Sequence, residues 1–164
     1  MSDKQNIQEC CPEFKPELWD NKSHNWQQRK FIKDSMPTIF NMPLPFMIGR
    51  KITKMWNAIE STDSAEADKE KTLILFHDLS AFKSEILISV AKEVPETNNV
   101  TLSGNYLSKV FDGGYSQVPQ FMKEMDEYLE KEGKKATDLY IHYAYCPKCA
   151  KKFGHNYMTF FAKI

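Results

Sequence analysis

Apolar residues recur along this chain with two different periods, and the period switches in a repeated order. Ile48, Ile52, Met55, Trp56 and Ile59 fall at i, i+4, i+7, i+8 and i+11, one apolar stripe along a helix from Ile48 to Glu60. Two β-rich runs follow, Leu73 to Phe76 and Glu85 to Val90, and the polar stretch between them predicts an antiparallel hairpin. Val100 to Phe111 reads as another strand. Val118, Phe121, Met122, Met125, Tyr128 and Leu129 then return at helical spacing, with Ser116 placed to cap the helix and Gly133 to end it. Leu139 to Tyr145 and Tyr157 to Ala162 make a last strand pair.

Upstream the pattern is weaker. Met36 to Met47 carries Pro37, Pro43 and Pro45 among β-branched and aromatic residues, which suggests an edge strand or extended segment. Residues 1–35 are polar, broken by Pro12 and Pro16, and predict an irregular arm with one turn of helix between Asn25 and Lys33. Trp19 and Trp26 need a surface to bury against, so the arm should wrap the domain. The expected fold is α+β: a strand-helix-strand-strand module given twice, with antiparallel sheets around a central ligand cleft. The arm (1–35) packs on a domain of 36–164, divided into modules 36–99 and 100–164.

Alternation along the strands assigns faces. Ile86, Ile88 and Val90 share one face of their strand and should meet the helices, which turns Glu85, Leu87 and Ser89 to the concave side. A carboxylate there is partly desolvated and suits cation binding or acid/base chemistry; at a wet strand edge it would only aid solubility. In the last strand pair one assignment puts Tyr140, His142 and Ala144 in the cleft with Tyr157, Thr159 and Phe161, and the opposite one puts Tyr143 and Tyr145 there. Either gives an aromatic wall suited to a flat apolar or cationic ligand, although any one ring is equally an ordinary β-former. His142 is a candidate acid, base or ligand, while His24 and His77 read as residues of polar turns. Asp112-Gly113-Gly114-Tyr115 is a strand-to-helix turn whose glycines are expected to supply unusual backbone angles. It lacks the remaining glycines and the lysine of a nucleotide loop.

Charge narrows the partners. Among 164 residues, 22 Lys+Arg balance 22 Asp+Glu, which gives little attraction for nucleic acid or a membrane surface. No apolar run approaches the ~18–20 residues of a membrane span, and the first residues are too polar for a secretory signal, so a cytoplasmic protein is expected. Nothing in the composition sets an oligomeric state. The cysteines add a different chemistry: Cys10 and Cys11 are adjacent, and Cys146-Pro147-Lys148-Cys149 has the spacing of metal or redox sites. A redox pair opens a helix, whereas this one is predicted in a turn between two strands, the context of a zinc knuckle. One knuckle supplies two ligands. One of Cys10 and Cys11, which cannot easily both point the same way in an extended segment, could join Cys146 and Cys149, with His155 as the fourth ligand and Cys11 as the candidate of the two. Such a site would staple the arm to the domain; structural thiols or a redox pair are the other readings.

The stretch Leu102-Ser-Gly-Asn-Tyr-Leu-Ser-Lys-Val-Phe-Asp-Gly-Gly-Tyr115, followed by a helix and a tyrosine-rich strand, resembles the gyrase-inhibitor-like (GyrI-like) small-molecule-binding domain. Cys11-Pro-Glu-Phe14, Trp19-Asp20 and the Tyr143 to Tyr157 segment resemble a branch of prokaryotic proteins often labelled hydrolases. The resemblance implies tandem modules around a cleft that receives drugs, in some relatives on a buried glutamate, or opens strained cyclopropane rings by adding water. It also implies Glu85 as the acid, with Trp56, Tyr106 and Tyr143 as walls or donors. A binding module without catalysis is the alternative it allows; a zinc or thiol redox protein is the alternative the cysteines allow.

Overall fold

The computed structural model describes residues 11–40, 42, 43 and 45–164. Cys10 and the rest of residues 1–10 lie outside the described residues, as do Asn41 and Leu44 of the proline-rich run. Ten elements organise the described residues: β1 (Lys22–Ile39), β2 (Met42–Pro43), α1 (Pro45–Ser61), β3 (Ile74–Ser80), β4 (Lys83–Ser89), β5 (Asn98–Asp112), α2 (Val118–Lys131), β6 (Asp138–Tyr143), α3 (Pro147–Phe153) and β7 (Tyr157–Lys163). Short 3₁₀ turns accompany them.

The strands β1, β4, β3, β6, β7 and β5 pair antiparallel in that order, and β5 pairs again with β1, so six strands close into a barrel with β2 attached outside the ring. Closure depends on β1. Phe31 to Lys33 face Ser89 to Leu87 of β4 on one side and Val100 to Asn98 of β5 on the other, so the middle of β1 joins the two halves of the sheet.

This strand corrects the largest expectation drawn from the pattern. Residues 22–35 are strand, not an irregular arm with a helical turn, and residue 35, the expected boundary between arm and domain, lies inside β1. The reason is a bulge. The register with β5 shifts between Trp26 and Arg29, and Gln28 takes a positive φ of 51°. Trp26 and Phe31 join the same interior cluster although they are five residues apart, an odd spacing that hides alternation from a period-two reading.

The two faces of the closed sheet bury different layers. Outside, α1 sets Met55 and Ile59 against Ile32, Met36, Ile86 and Ile88, while α2 sets Phe121, Met125 and Leu129 against Phe111, Met158 and Phe160. Inside lie Trp26, Phe31, Leu75, Leu87, Tyr106 and Phe161. Each fully buried apolar side chain contributes about 1.5–3 kcal/mol of transfer free energy, so both helices are held by their stripes rather than by intrinsic propensity.

Cys11 and Phe14 lie at the corner where β6 ends and β7 begins, and Trp19 and Asp20 lie against β5, with one 3₁₀ turn at Pro16–Leu18 between them. Trp19 enters the interior cluster edge-on to Phe161, and its carbonyl accepts from Ser108 Oγ at 2.5 Å. Phe14 rests on Tyr157, and its N–H donates to Tyr145 Oη at 2.8 Å. Three local expectations change. Gln117, not Ser116, stands at the N-cap of α2. Gly113 supplies room rather than an unusual angle, because a Cβ there would lie 2.7 Å from Phe121 Cζ and 2.2 Å from Gln117 Oε1. Cys146 to Cys149 do not form a strand-to-strand turn: Cys146 is the N-cap of α3, which ends at Gly154 with φ 72°.

Candidate functional site

Three neighbouring strands bring Glu85 its partners. Glu85 on β4 lies opposite Ser35 of β1 and His77 of β3, and it shares the inward face with Leu87 while Ile86 and Ile88 pack under α1. Lys33 Nζ stands 3.1 Å from Glu85 Oε1, and His77 Nδ1 stands 3.2 Å from Oε2. The other imidazole nitrogen, Nε2, is 2.6 Å from Asp138 Oδ1 at the start of β6. Tyr140 Oη donates to Asp138 Oδ2 at 3.3 Å, and the His77 ring stacks on the Tyr140 ring with centroids 4.6 Å apart. A single imidazole therefore bridges two carboxylates, one mostly sheltered at 15% exposure and one wetter at 36%.

An aromatic group adjoins this network. Tyr106 is fully buried, its ring 4.3 Å from Trp26 and 6.2 Å from Tyr140, and its hydroxyl has no hydrogen-bond partner among the described residues. Burial, followed by the Asp138 charge, pushes both phenols above their ordinary range, so they stay protonated donors. Two carboxylates and a bridging imidazole can hold a cation or an N–H donor, or pass a proton from one carboxylate to the other.

The other sequence-derived candidates are divided among separate places. His142 is buried, with Nδ1 3.1 Å from the Ile74 carbonyl oxygen. Burial lowers its pKa to about 4, with Arg29 adding to the effect and the Ile74 contact opposing it, so it is a neutral structural group near pH 7. Tyr157 lies under Phe14 and stacks on His155. Tyr143 belongs to the outer layer, against Phe76 and Tyr115, and Trp56 packs on the layer beneath α1, so neither shares the inward face of Glu85. Of the two assignments for the last strand pair, the structure takes the one with Tyr140 and Phe161 inside.

Lys33, His77 and Asp138 were not among those candidates. The signal was alternation through β1 and β3, obscured at Lys33 by the bulge and at His77 by reading a polar turn where β3 continues to Ser80. A separate cavity of about 630 Å³ opens beside Trp19, His24, Arg29, Glu66 and Lys71. Arg29 stacks over Trp26 and donates to the Lys71 carbonyl at 2.8 Å.

Cys11, Cys146 and Cys149 form the remaining cluster, their Sγ atoms all within 4.8 Å of one another. The Cys146 N–H points at Cys11 Sγ, 3.4 Å away. His155, the expected fourth ligand, is outside this group; its Nδ1 is 2.8 Å from Asp112 Oδ2. The three thiols are compatible with metal binding.

A family model described as bacterial hydrolase matches residues 1–164. The chain belongs to the bacterial hydrolase family. An uncharacterised conserved protein from Listeria innocua is similar to this family member with a TM-score of 0.61 and 11% identity over 87% of this chain and 91% of its own. A hydrolase from Listeria innocua gives a TM-score of 0.59 and 11% identity over 88% of this chain and 91% of its own. A third protein, solved bound to tetraphenylphosphonium, gives 0.55 and 11% identity over 88% of this chain and 93% of its own. At that identity these likenesses establish a shared fold. No curated protein matches the sequence of this bacterial hydrolase family member. None of its helices, among the described residues, is long and apolar enough to cross a membrane.

Proposed function

We propose that this protein binds aromatic or cationic small molecules at the inward face carrying Glu85 and hydrolyses susceptible ones with Glu85 as acid/base. The observation that carries this reading is the network itself: a sheltered carboxylate joined through His77 to a second carboxylate, beside Tyr140 and Tyr106. Lys33 is the fixed cation facing Glu85, so an incoming cation would exchange with an existing ion pair rather than meet a bare charge. A protein of the same fold was solved with an aromatic cation, tetraphenylphosphonium, which supports that ligand class. The order β1, α1, β3, β4, then β5, α2, β6, β7 supports a GyrI-like tandem origin, with the sheet closed rather than opened into a cleft.

For an activated cyclopropane the step balances as follows. Glu85 takes a proton from water, whose oxygen bonds to a ring carbon; the ring C–C bond breaks and its electron pair passes into the conjugated acceptor, which takes the proton back from Glu85. His77 gives that proton a second resting place toward Asp138.

Binding and turnover are tested separately. Titration with tetraphenylphosphonium should quench the fluorescence of Trp26, and Glu85→Gln should weaken binding by about tenfold, the effect of removing one sheltered charge. Equal affinity in both proteins would remove Glu85 from the site. Incubation with a cyclopropane-bearing alkylator should yield the ring-opened water adduct by mass spectrometry with wild type and little with Glu85→Gln. Binding without turnover in wild type would leave a sequestering module.

The cysteines favour a second reading. We infer zinc as the cofactor suited to Cys11, Cys146 and Cys149. The Cys146/Cys149 pair opens α3, the context of a redox pair, but a third sulfur within 4.8 Å completes an all-sulfur set that selects borderline and soft cations over magnesium or calcium. Metal analysis of protein purified without chelator, under reductant, should find about one zinc per chain, the ratio of a single site.

A further inference from the structure

We propose that a metal at the three thiols works as a lock, cross-linking the N-terminal segment to the α3 corner and thereby holding Trp19 in the barrel interior. The inference rests on the zinc reading above and adds what the ion does. A tetrahedral Zn²⁺ with Zn–S bonds of ~2.3 Å places its sulfur ligands roughly 3.8 Å apart. Thiols that already lie within 4.8 Å need only small rotations to reach that geometry. Cys146 and Cys149 come from one turn at the start of α3, whereas Cys11 arrives from the opposite end of the chain. The folded chain therefore supplies the third ligand, and ligation closes a loop between Cys11 and Cys146.

The position of Cys11 decides what the cross-link controls. Three residues on, the Phe14 N–H donates to Tyr145 Oη and its ring covers Tyr157. Five further, Trp19 fills the interior cluster beside Phe161 and Trp26. Apart from Trp19, the segment between Cys11 and β1 is partly or fully exposed and has only the 3₁₀ turn at Pro16–Leu18 as regular structure. Its anchors are the Phe14–Tyr145 contact and Trp19 itself, so a tether at Cys11 adds a third fixed point to a segment with little other burial. Three thiolates put three negative charges on a divalent ion. That donor charge lowers the ion's Lewis acidity, while three protein ligands leave its fourth tetrahedral position to water or another donor, so its structural role rests on the cross-link and not on the ligand count. The Cys146 N–H directed at Cys11 Sγ is the kind of donor that steadies a metal-bound thiolate.

The test uses the full chain under reductant, stripped with chelator and reloaded with Zn²⁺ alone, or with Co²⁺ as a spectroscopic probe. Binding is read directly from metal content and from the thiolate-to-Co²⁺ charge-transfer absorption. The lock is read from hydrogen exchange in residues 11–21 and from the fluorescence of Trp19 in a Trp26→Phe, Trp56→Phe background. Zn²⁺ should slow exchange in residues 11–21 by tenfold or more and shift Trp19 emission to the blue, with little change in β3 and β4. Cys11→Ser should abolish that protection. Cys146→Ser, at a half-buried position, serves where the buried Cys149→Ser fails to fold. No thiolate band and no bound metal in wild type would overturn the zinc reading and the lock with it. Bound metal with unchanged exchange in residues 11–21, or full affinity in Cys11→Ser, would leave a metal site and overturn the lock.

Discussion

His142 shows how placement sets the behaviour of a single residue. In sequence it is a histidine on a strand, equally fit for acid, base or ligand; in the fold it is buried against Ile74 with its pKa lowered to about 4. Unfolded, it titrates near ~6.5, so between those values the unfolded chain binds the extra proton and stability falls as pH drops. The loss begins below pH ~6.5, levels off near pH 4 and reaches at most about 3 kcal/mol. Urea unfolding at pH 7 and pH 4.5 measures it, and His142→Gln should flatten the difference relative to wild type; parallel curves would remove His142 as the cause. His24 is shifted the same way by burial and then by Arg29, and contributes with the same sign. The inward face of Glu85 was legible beforehand because its strand alternates cleanly. His77 and Asp138 were not, because a residue acquires a partner from another strand only through register.

At the scale of elements, β1 is where local pattern and final structure diverge. α1, α2 and β3 to β7 announce themselves by period, while β1 carries a bulge that changes which face a side chain takes partway along. Opposite that bulge, Gly104 pairs with Trp26 and has φ +126°, a conformation that L residues rarely adopt. A Cβ there would also lie 3.0 Å from Lys163 Cε. Gly104→Ala should therefore destabilise the barrel by about 1–3 kcal/mol, measured by chemical denaturation. An unchanged midpoint would mean that the strand relaxes around the methyl. The start of α3 is a second divergence: Cys-Pro-Lys-Cys between two strands has the look of a turn, yet the corner is wide enough for seven helical residues.

For the whole molecule, closure of the sheet and the seat of the N-terminal segment are one structural fact, since Trp19 adds to the cluster that the six strands enclose. Trp19→Ala should cost about 3–5 kcal/mol, as large-to-small changes at buried aromatics do, and thermal unfolding should show it. A loss of well under 1 kcal/mol would place Trp19 outside the cooperative core. The sequence by itself determined α1 and α2, most strands, the inward side of Glu85 and the suspicion that an N-terminal cysteine belongs with Cys146 and Cys149, because periodicity and spacing are properties of neighbouring residues. Only the tertiary structure decided that the sheet closes, that Lys33 and His77 flank Glu85, that Tyr143 and Trp56 face outward, and that His155 turns to Asp112 instead of the thiols. Closure and the partners of Glu85 depend on which strands pair and in which register, and the rest on packing between residues far apart in the chain, none of which periodicity among neighbours records.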